Sequence, residues 1–277
     1  ARHLASLNEP SEMLDAQAMR ELTGSPHYRS GLYTPGTVML QPAGYVRGLA
    51  AGLRREGVAI HEQSPVTGFT RQGDTWRVET PKGRLSAGKV ILTVNGHLES
   101  FGIARGRLMQ VFLFATMTPD LDADTLGRLG GRPRWGVTPS DPMGTTMRRI
   151  DTAQGGNRIV TRTCAVLRPG MRATEADMAR AARVMQRKFD QRFPQLAGMR
   201  MEHAWAGHLC LSLNGVSVMR EIEPGLYSAC VQNGLGTARG TRHFTDQAEP
   251  KCLPPQPFRE IGANAVLRWK EWRAGDE

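Results

Sequence analysis

The chain has 277 residues, of which 40% are hydrophobic and 22% charged, so it carries enough apolar material for a substantial core. No stretch approaches the ~20 consecutive apolar residues of a membrane-spanning helix, and we expect neither a transmembrane segment nor a membrane partner. With 36 Lys and Arg against 26 Asp and Glu, the net charge is +10, but the basic residues are scattered in ones and twos. This distribution argues against a nucleic-acid partner and leaves a phosphate-bearing cofactor as a reason for the charge.

Cysteines and histidines give no sign of a metal site or a disulfide framework. The cysteines form no CxxC or CxxH pair, the seven histidines form no HxH or HxxxH arrangement, and no metal is predicted. The first ten residues lack the apolar segment of a signal peptide, so we expect a cytoplasmic location with buried, inert thiols. The four cysteines are Cys164, Cys210, Cys230 and Cys252.

Two helices are predicted in the first sixty residues. Residues 11–23 place apolar side chains on one helical face, with Ser11 as the expected N-cap and Gly24 as the stop. The second helix begins at Pro42 and ends before Gly57. The segment VAIHE, residues 58–62, then predicts a short strand, followed by further strands between glycine-containing turns.

The segment KVILTVNG, residues 89–96, predicts a strand that is buried on both faces. Its apolar and β-branched residues run without polar alternation, as in the strands of parallel sheets. Gly96 is the last residue of this segment, and a glycine at the carboxyl end of such a strand lets the backbone approach a ligand. An ordinary turn glycine explains the same pattern.

From Arg107 to the C-terminal third, longer strands with bent Gly and Pro connections predict an antiparallel sheet. One long helix interrupts it, with Thr174 as N-cap, Asp177 at the capping-box position and an end at Phe193. The predicted strands lie in RLMQVFLFATMT, WGVTP, GTTMRRI, NRIVTRTCAVL, HAWAGHLCLSL and GVSVMREIEPGLYSACV.

A second candidate ligand site lies in LYSACVQNGLGTARGT near the C-terminus. A strand runs into Asn233 and the glycines that follow it, and free N–H groups at such a junction favour an anion. Many left-handed turns share this pattern, so it is weak on its own.

An arginine pair is the candidate for substrate binding. If GTTMRRI and NRIVTRTC form a hairpin, pairing Ile150 with Arg158 places Arg148 diagonal to Arg162 on one face. Two guanidinium groups so placed can hold a substrate carboxylate, although two solvated arginines on an exposed face are the simpler alternative. Tyr33, in the turn before the second helix, is a further candidate.

Long segments of the chain, in this order, resemble the D-amino-acid oxidase (DAO) family of FAD-dependent oxidoreductases, in particular the branch with gamma-glutamylputrescine oxidase and glycine oxidase. The segments are GLYTPGTVMLQPAGYVRGLAAGLRREGVAIHEQSPVTGF, WRVETPKGRLSAGKVILTVNGHL, VFLFATMTPDL, WGVTPSDPMGTTMRRI, the WAG of residues 205–207 and GLYSACVQNGLGTARGT.

The resemblance implies an α/β (α+β) fold with FAD as cofactor. Residues 1–105 and 224–277 correspond to what remains of a Rossmann-like FAD-binding layer, and residues 106–223 to an antiparallel-sheet substrate domain. Catalytic residues are left unassigned. The positions matched to cofactor contacts are Val66 near the adenine, Thr93, Asn95 and Gly96 near the dinucleotide, and Gly234, Leu235, Gly236 and Thr237 facing the flavin pyrimidine.

The activity implied is oxidation of a C–N bond in a small amine or amino acid, by hydride transfer to the flavin with O2 as acceptor. Two departures from the family pattern concern FAD itself. The 277 residues contain no G-x-G-x-x-G turn, and the helix expected after Thr241 is shortened or absent. The alternative is therefore a catalytically silent fragment, or a binding or assembly module, that completes an FAD site as a homo-oligomer or with a complementing chain.

Overall fold

The computed structural model describes residues 1–236 and 248–275, whose strands form four sheets. The helices are α1 (Arg2–Ser6), α2 (Ala16–Thr23), α3 (Pro42–Arg55), α4 (Ala123–Leu129), α5 (Glu175–Arg192) and α6 (Phe258–Ala274). The strands are β1 (Glu12–Asp15), β2 (Ser30–Tyr33), β3 (Gly68–Gln72), β4 (Thr75–Thr80), β5 (Gly83–Ala87), β6 (Val90–Leu92), β7 (Leu108–Met117), β8 (Trp135–Val137), β9 (Thr146–Ile150), β10 (Arg158–Leu167), β11 (His203–Ser212), β12 (Val218–Glu223) and β13 (Leu226–Cys230).

The largest sheet is antiparallel throughout and has the strand order β11-β7-β10-β9-β8. This confirms the predicted antiparallel sheet after Arg107. The sheet is bent at Cys164, where a bulge shifts the register between β10 and β7 and the backbone takes a φ of 65°. Strands β12 and β13 were predicted to extend this sheet, but they belong to another one.

Helix α5 covers one face of the large sheet. It begins at Thr174 with the predicted capping box, in which Thr174 and Asp177 satisfy each other's backbone N–H groups. Ala181, Met185 and Phe189, spaced at four-residue intervals, are fully buried. The apolar stripe of the helix is therefore core, as its spacing predicts.

Helix α6 covers the edge of β10 beyond the end of β9. The Glu271 carboxylate accepts a hydrogen bond from the Ala165 N–H at 2.7 Å, and the Asn264 side-chain oxygen accepts one from the Leu167 N–H at 2.8 Å. These side chains take the place of a neighbouring strand, so the edge does not offer free N–H groups.

A three-stranded sheet with the order β12-β13-β6 lies beside the large one. Strand β13 pairs with β12 antiparallel and with β6 parallel, which confirms the predicted parallel strand at residues 90–92. The predicted boundary between residues 223 and 224 falls in the β12–β13 hairpin, and the assignment of the two domains stays a prediction.

The exposure of Ile91 in β6 differs from the prediction. Ile91 is 63% exposed, whereas the sequence predicts burial on both faces. Ile91 lies on the face of the sheet opposite to Leu92, and among the described residues only the Leu92 face is packed in the core. The small sheet β3-β4-β5 packs on the inner side, where the Trp76 indole donates to the Pro224 carbonyl oxygen at 3.2 Å.

Two predictions for the N-terminal region are wrong. Residues 12–15 form β1 instead of the first turn of a helix, and Asp15, not Ser11, caps α2. The pairing of β1 with β2 outweighs the helical spacing of this segment. The segment 58–62 forms no strand, because none of the described residues pairs with it.

Helix α3 has the predicted limits, yet its apolar face is open. None of its residues is buried, and Tyr45, Val46, Leu49 and Leu53 are between 39% and 61% exposed. Among the helices of the described residues, none has the length and apolar composition needed to cross a membrane.

The cap of α5 supplies a test of the fold. Arg168 donates two hydrogen bonds to Asp177 and holds the pKa of this carboxyl at about 2, well below its usual 3.8. The pKa is lower in the folded state, so the ion pair stabilises the fold above about pH 4 and the gain is lost as the pH falls towards 2. We expect Asp177→Asn to lower the free energy of unfolding by about 1–2 kcal/mol at pH 7.

Urea unfolding at several pH values measures this effect. The deficit of Asp177→Asn should shrink between pH 4 and pH 2. Asp74→Asn, in the exposed turn between β3 and β4, is the control and should change the stability by less than about 0.5 kcal/mol. A deficit that is the same at pH 7 and pH 2.5 would contradict this account.

Candidate functional site

The carboxyl ends of β6 and β13 meet at one edge of their sheet. The two strands pair parallel, with Tyr227 opposite Ile91, so the segments that follow them leave in the same direction. The structure thereby brings together two groups of residues that the family resemblance predicts to be cofactor contacts. These are Thr93, Asn95 and Gly96 after β6, and Gly234, Leu235 and Gly236 after β13. Thr237 lies outside the described residues.

The backbone at this edge adopts an unusual conformation. Asn95, Asn233 and Gly234 have φ values of 50°, 51° and 84°. Val231 is buried and has a φ of 58°, which is rare for a β-branched side chain and costs conformational energy. Strained backbone of this kind clusters at functional sites, and no pattern in the sequence predicts it here.

The side chain of Asn233 fixes the turn after β13. Its amide oxygen accepts a hydrogen bond from the Ser212 N–H at 2.9 Å, and its amide nitrogen donates to the Val216 carbonyl oxygen at 3.0 Å. The turn is therefore attached to the end of β11 and to the loop that leads into β12. Of the backbone N–H groups that follow, that of Leu235 donates to the Gln232 carbonyl oxygen at 3.0 Å and closes the turn.

Gly96 has a packing role that the sequence did not reveal. A Cβ at this position would lie 2.0 Å from the Oε1 of Gln110, which is buried in β7. The Gln110 side chain donates to the Gly96 carbonyl oxygen at 3.2 Å and to Glu99 at 2.9 Å, and its oxygen lies 2.8 Å from the Nε2 of His208. The space beside Gly96 is thus taken by Gln110, and the cofactor role of Gly96 stays a prediction.

Burial lowers the pKa of His208, and the neighbouring His97 lowers it further. The environment of His208 therefore favours its neutral form in the contact with the Gln110 amide. His97 itself is exposed. Neither residue lies in a metal-binding group: within residues 1–236 and 248–275, no cluster of three His, Cys, Asp or Glu is suited to a metal ion.

Val66, the last predicted cofactor contact, lies apart from these residues in sequence. It precedes β3 by two residues and is 41% exposed. Its role near the adenine stays a prediction.

The arginine pair has the predicted register. Ile150 lies opposite Arg158 in the β9–β10 ladder, so Arg148 is diagonal to Arg162. The Arg162 guanidinium donates to the Thr146 hydroxyl at 2.7 Å. Burial and the charge of Arg148 both lower the pKa of Arg162, which shows that the two cations act on one another. A carboxylate at this place would relieve that repulsion.

Tyr33 lines a cavity of about 1400 Å³ between β2 and β8, the edge strand of the large sheet. Gly136 of β8 lines this cavity and pairs with Arg148 in the β8–β9 ladder: a Cβ there would lie 3.7 Å from the Met39 Sδ and 3.9 Å from the Arg148 Cγ. The sequence analysis proposed Tyr33 as a substrate-binding candidate but did not predict the cavity around it.

Two residues of the inner wall were missed. Arg192 is 1% exposed and interacts with the phenol of Tyr28, which lowers the pKa of Tyr28 against the larger upward effect of burial. The signal was present in the sequence, since Arg192 continues the buried stripe of α5 three residues after Phe189. A cation in such a stripe is a departure that sequence reading can detect.

The cysteines are free thiols, as the sequence predicts, but they are not all buried. Burial raises the pKa of Cys164 to about 11 and that of Cys210 to about 12, and Cys230 is buried as well. Cys252 is exposed, which corrects the expectation that all four thiols are buried.

Comparison with known proteins identifies the family. A family model with the description "DAO: FAD dependent oxidoreductase" matches residues 1–243. The chain belongs to the DAO family. A similar curated protein is the "Probable oxidoreductase OrdL" of Haemophilus influenzae, 25% identical over 233 residues, which are 82% of this chain and 50% of that protein. The chain therefore spans about half the length of this DAO relative.

Two solved structures share the fold of this chain. Glycine oxidase from Geobacillus kaustophilus has a TM-score of 0.66 at 15% identity, covering 83% of this chain and 60% of that one. L-proline dehydrogenase from P. horikoshii also has a TM-score of 0.66, at 16% identity, covering 84% of this chain and 62% of that one. The predicted mixed α/β fold with an antiparallel sheet is confirmed.

FAD is the cofactor of the DAO family, and the described residues fit part of it. A Cβ at Gly234 would have no atom within 4 Å, so the backbone of this turn is open to close approach. The pyrophosphate of FAD has no such place here, since the sequence contains no G-x-G-x-x-G turn to bind it. The residues after β6 and β13 would thus hold one side of the dinucleotide.

The contact between Gly96 and Gln110 can be tested by substitution. We expect Gly96→Ala to lower the free energy of unfolding by about 1–3 kcal/mol, because the added methyl group overlaps the buried Gln110 amide. Urea unfolding measures the loss. Gly68→Ala, at the start of β3 with open space around it, is the matched control. Equal stability of both variants would show that the site relaxes without cost.

Proposed function

We propose that the chain belongs to an FAD-dependent oxidoreductase that oxidises a C–N bond in an amine or amino acid. The observation that carries this proposal is the meeting of the two strand ends, β6 and β13, beside an antiparallel sheet that presents Arg148 and Arg162. Membership of the DAO family supports the oxidoreductase class. The names of the structural relatives, glycine oxidase and L-proline dehydrogenase, support the substrate class.

The residues of the chain have three tasks in this proposal. The Asn233 side chain anchors the turn after β13, and the N–H groups of Gly234 and Gly236 in that turn would donate to the flavin pyrimidine, where negative charge develops on reduction. Arg148 and Arg162 bind the substrate carboxylate and orient the carbon that carries the nitrogen. The neutral His208 and Gln110 hold the turn at Gly96 in place.

FAD, when bound, supplies the acceptor for the two electrons that leave the substrate as hydride. The substrate nitrogen loses a proton, a C=N bond forms, and water hydrolyses it to a carbonyl compound and ammonia or an amine. O2 as the final acceptor is part of the proposal.

The cofactor assignment is tested at Gly236. A Cβ there would lie 3.6 Å from the Gln232 Cβ, an ordinary contact, so the fold tolerates a side chain. We expect Gly236→Val to weaken FAD binding at least about tenfold, because its methyl groups keep the cofactor from the backbone. The measurement is a titration of FAD followed by its visible absorption and fluorescence.

Gly262→Val, in α6 with open space around it, is the matched control and should leave FAD affinity within about twofold. Unchanged affinity in Gly236→Val would overturn the contact at this turn. If the unsubstituted chain shows no saturable FAD binding, the proposal fails for this chain alone.

The second candidate function is a module that completes an FAD site with another chain. Two exposed apolar surfaces favour it: the open face of α3 and Ile91 on the edge of β6. An edge strand with an apolar side chain is a place where a further strand can pair. A second copy or a complementing chain would cover both surfaces.

Size-exclusion chromatography with light scattering tests this second candidate. We expect a species larger than a monomer, returned to monomer by Val46→Glu with Leu49→Glu, because buried carboxylates oppose association. Leu213→Glu, an exposed leucine in the turn after β11, is the control and should not change the size. A monodisperse monomer without flavin would contradict completion of the site by a second copy of this chain.

A further inference from the structure

The face of the large sheet that carries Arg162 also carries an exposed tryptophan. In the β11–β7 ladder Trp205 lies directly opposite Ala115, and in the β7–β10 ladder Ala115 lies directly opposite Arg162. Residues that lie directly opposite one another in an antiparallel sheet project from the same face. Trp205 and Arg162 therefore lie on one face, with only the methyl group of Ala115 between them.

The spacing of this row suits a small ligand. Neighbouring strands are about 4.8 Å apart, so the backbones at Trp205 and Arg162 are separated by roughly 9–10 Å. Strand side chains project nearly perpendicular to the sheet, so the indole and the guanidinium group form two walls above Ala115. Arg162 is held in its wall by the hydrogen bond that it donates to the Thr146 hydroxyl at 2.7 Å. The gap between the walls has the size of a charged group with the one or two carbon atoms next to it.

Gly207 leaves open space beside the indole. It follows Trp205 by two positions in β11, so it lies on the same face, and it is paired with Leu113 of β7. Apart from its chain neighbours, a Cβ at Gly207 would have no atom closer than the Leu113 carbonyl oxygen, 4.0 Å away. Trp205 itself is 42% exposed. The WAG segment of residues 205–207 thus supplies both an aromatic wall and a path for a ligand to reach it.

The apolar contacts of α6 limit the site at one end. Leu113 belongs to the same apolar cluster as Leu267 of α6, so the sheet face beyond Gly207 is covered. The opposite end, towards Arg148, is exposed to solvent. A ligand on this row therefore has room for a compact head group near Trp205 and for a longer part only in the direction of Arg148.

The chemistry of the two walls differs. The guanidinium group of Arg162 binds a carboxylate, and the π face of a tryptophan attracts an ammonium group. Ala115 and Thr146, the other two residues of the row, carry no charge. The indole is therefore the feature of this row that attracts a cation.

We propose that Trp205 is a specificity-determining residue, whose indole selects a ligand with adjacent positive and negative groups. The indole holds the ammonium group, and Arg162 holds the carboxylate that lies one or two carbon atoms away. The identification of this ligand with the substrate rests on the proposed function, since an amino acid is such a zwitterion. A simple amine lacks the carboxylate and a fatty acid lacks the cation, so both bind more weakly.

Two probes of the same shape test the role of the indole. Betaine carries a trimethylammonium group on its acetate, and 3,3-dimethylbutyrate has a carbon atom in place of that nitrogen. Both probes keep the carboxylate, and only betaine has the cation. Isothermal titration calorimetry measures their affinity for the full chain, with and without FAD. We expect betaine to bind at least about fivefold more tightly than 3,3-dimethylbutyrate.

Substitutions separate the cation contact from the carboxylate contact. Trp205→Leu should abolish the preference for betaine, because leucine keeps apolar surface without a π face, and Trp205→Phe should retain at least about a twofold preference. Arg162→Gln should weaken both probes by the same factor, because both carry the carboxylate. Trp272→Leu, at a tryptophan of α6 that is 78% exposed, is the matched control and should keep the full preference. Circular dichroism verifies the fold of each variant.

Four results would overturn the proposal: equal affinity for the two probes, a preference that survives in Trp205→Leu, an equal loss in Trp272→Leu, or no saturable betaine binding in either condition. None of these readouts depends on turnover, so the Gly236 titration decides the proposed function separately. FAD binding without a preference for betaine would remove only the role of Trp205. A preference for betaine in a chain that does not bind FAD would keep the zwitterion site and detach it from the proposed oxidation.

Discussion

The parallel pairing of β6 with β13 is the contact on which the arrangement of the site depends. Leu226 lies opposite Val90, although the two residues are far apart in the chain. Parallel neighbours cannot be joined by a tight turn, and here the whole five-stranded sheet lies in the connection between them. This pairing therefore brings two glycine-containing turns together and also places the large sheet beside them.

Side-chain contacts anchor the two turns that follow β6 and β13, as the proposed chemistry requires. Asn233 ties one turn to the end of β11, and Gln110 of β7 fills the space beside the other. Both anchors come from the large sheet, so the two halves of the site share one support. Helix α5 packs on the sheet face that carries Phe112 and Phe114, and α6 covers the edge of β10. The strained Val231 is held in the core cluster that contains Leu92 and Leu108.

Much of this fold could be predicted because its signals are local or periodic. The capping box at Thr174 and the alternation of β9 and β10 each depend on a few neighbouring residues, and both predictions are confirmed. Predictions failed where the outcome depends on a distant partner. Residues 12–15 pair with β2, and residues 58–62 find no partner in the described part of the chain. Burial of Ile91 failed for the same reason.

The candidate site divides in the same way, into parts that follow from local patterns and parts that depend on distant residues. The positions after β6 and β13 and the diagonal of Arg148 and Arg162 come from strand patterns, whereas the Gln110 network joins three separate elements. The cavity beside Tyr33 joins even more distant segments, from Arg29 to Arg192. Such convergence is a property of the tertiary structure. Only Arg192, a cation in the buried stripe of α5, could have indicated it from the sequence.

The thiols give the molecule a practical property. Three cysteines are buried, and the raised pKa values of Cys164, about 11, and Cys210, about 12, keep those sulfurs protonated near neutral pH. Cys252 alone among the four is exposed. A maleimide dye added to the native protein would thus report from a single position, next to Leu253, whose N–H bonds the Gly106 carbonyl oxygen at 2.9 Å. Distances from that position to a bound, naturally fluorescent cofactor become measurable without removing any cysteine.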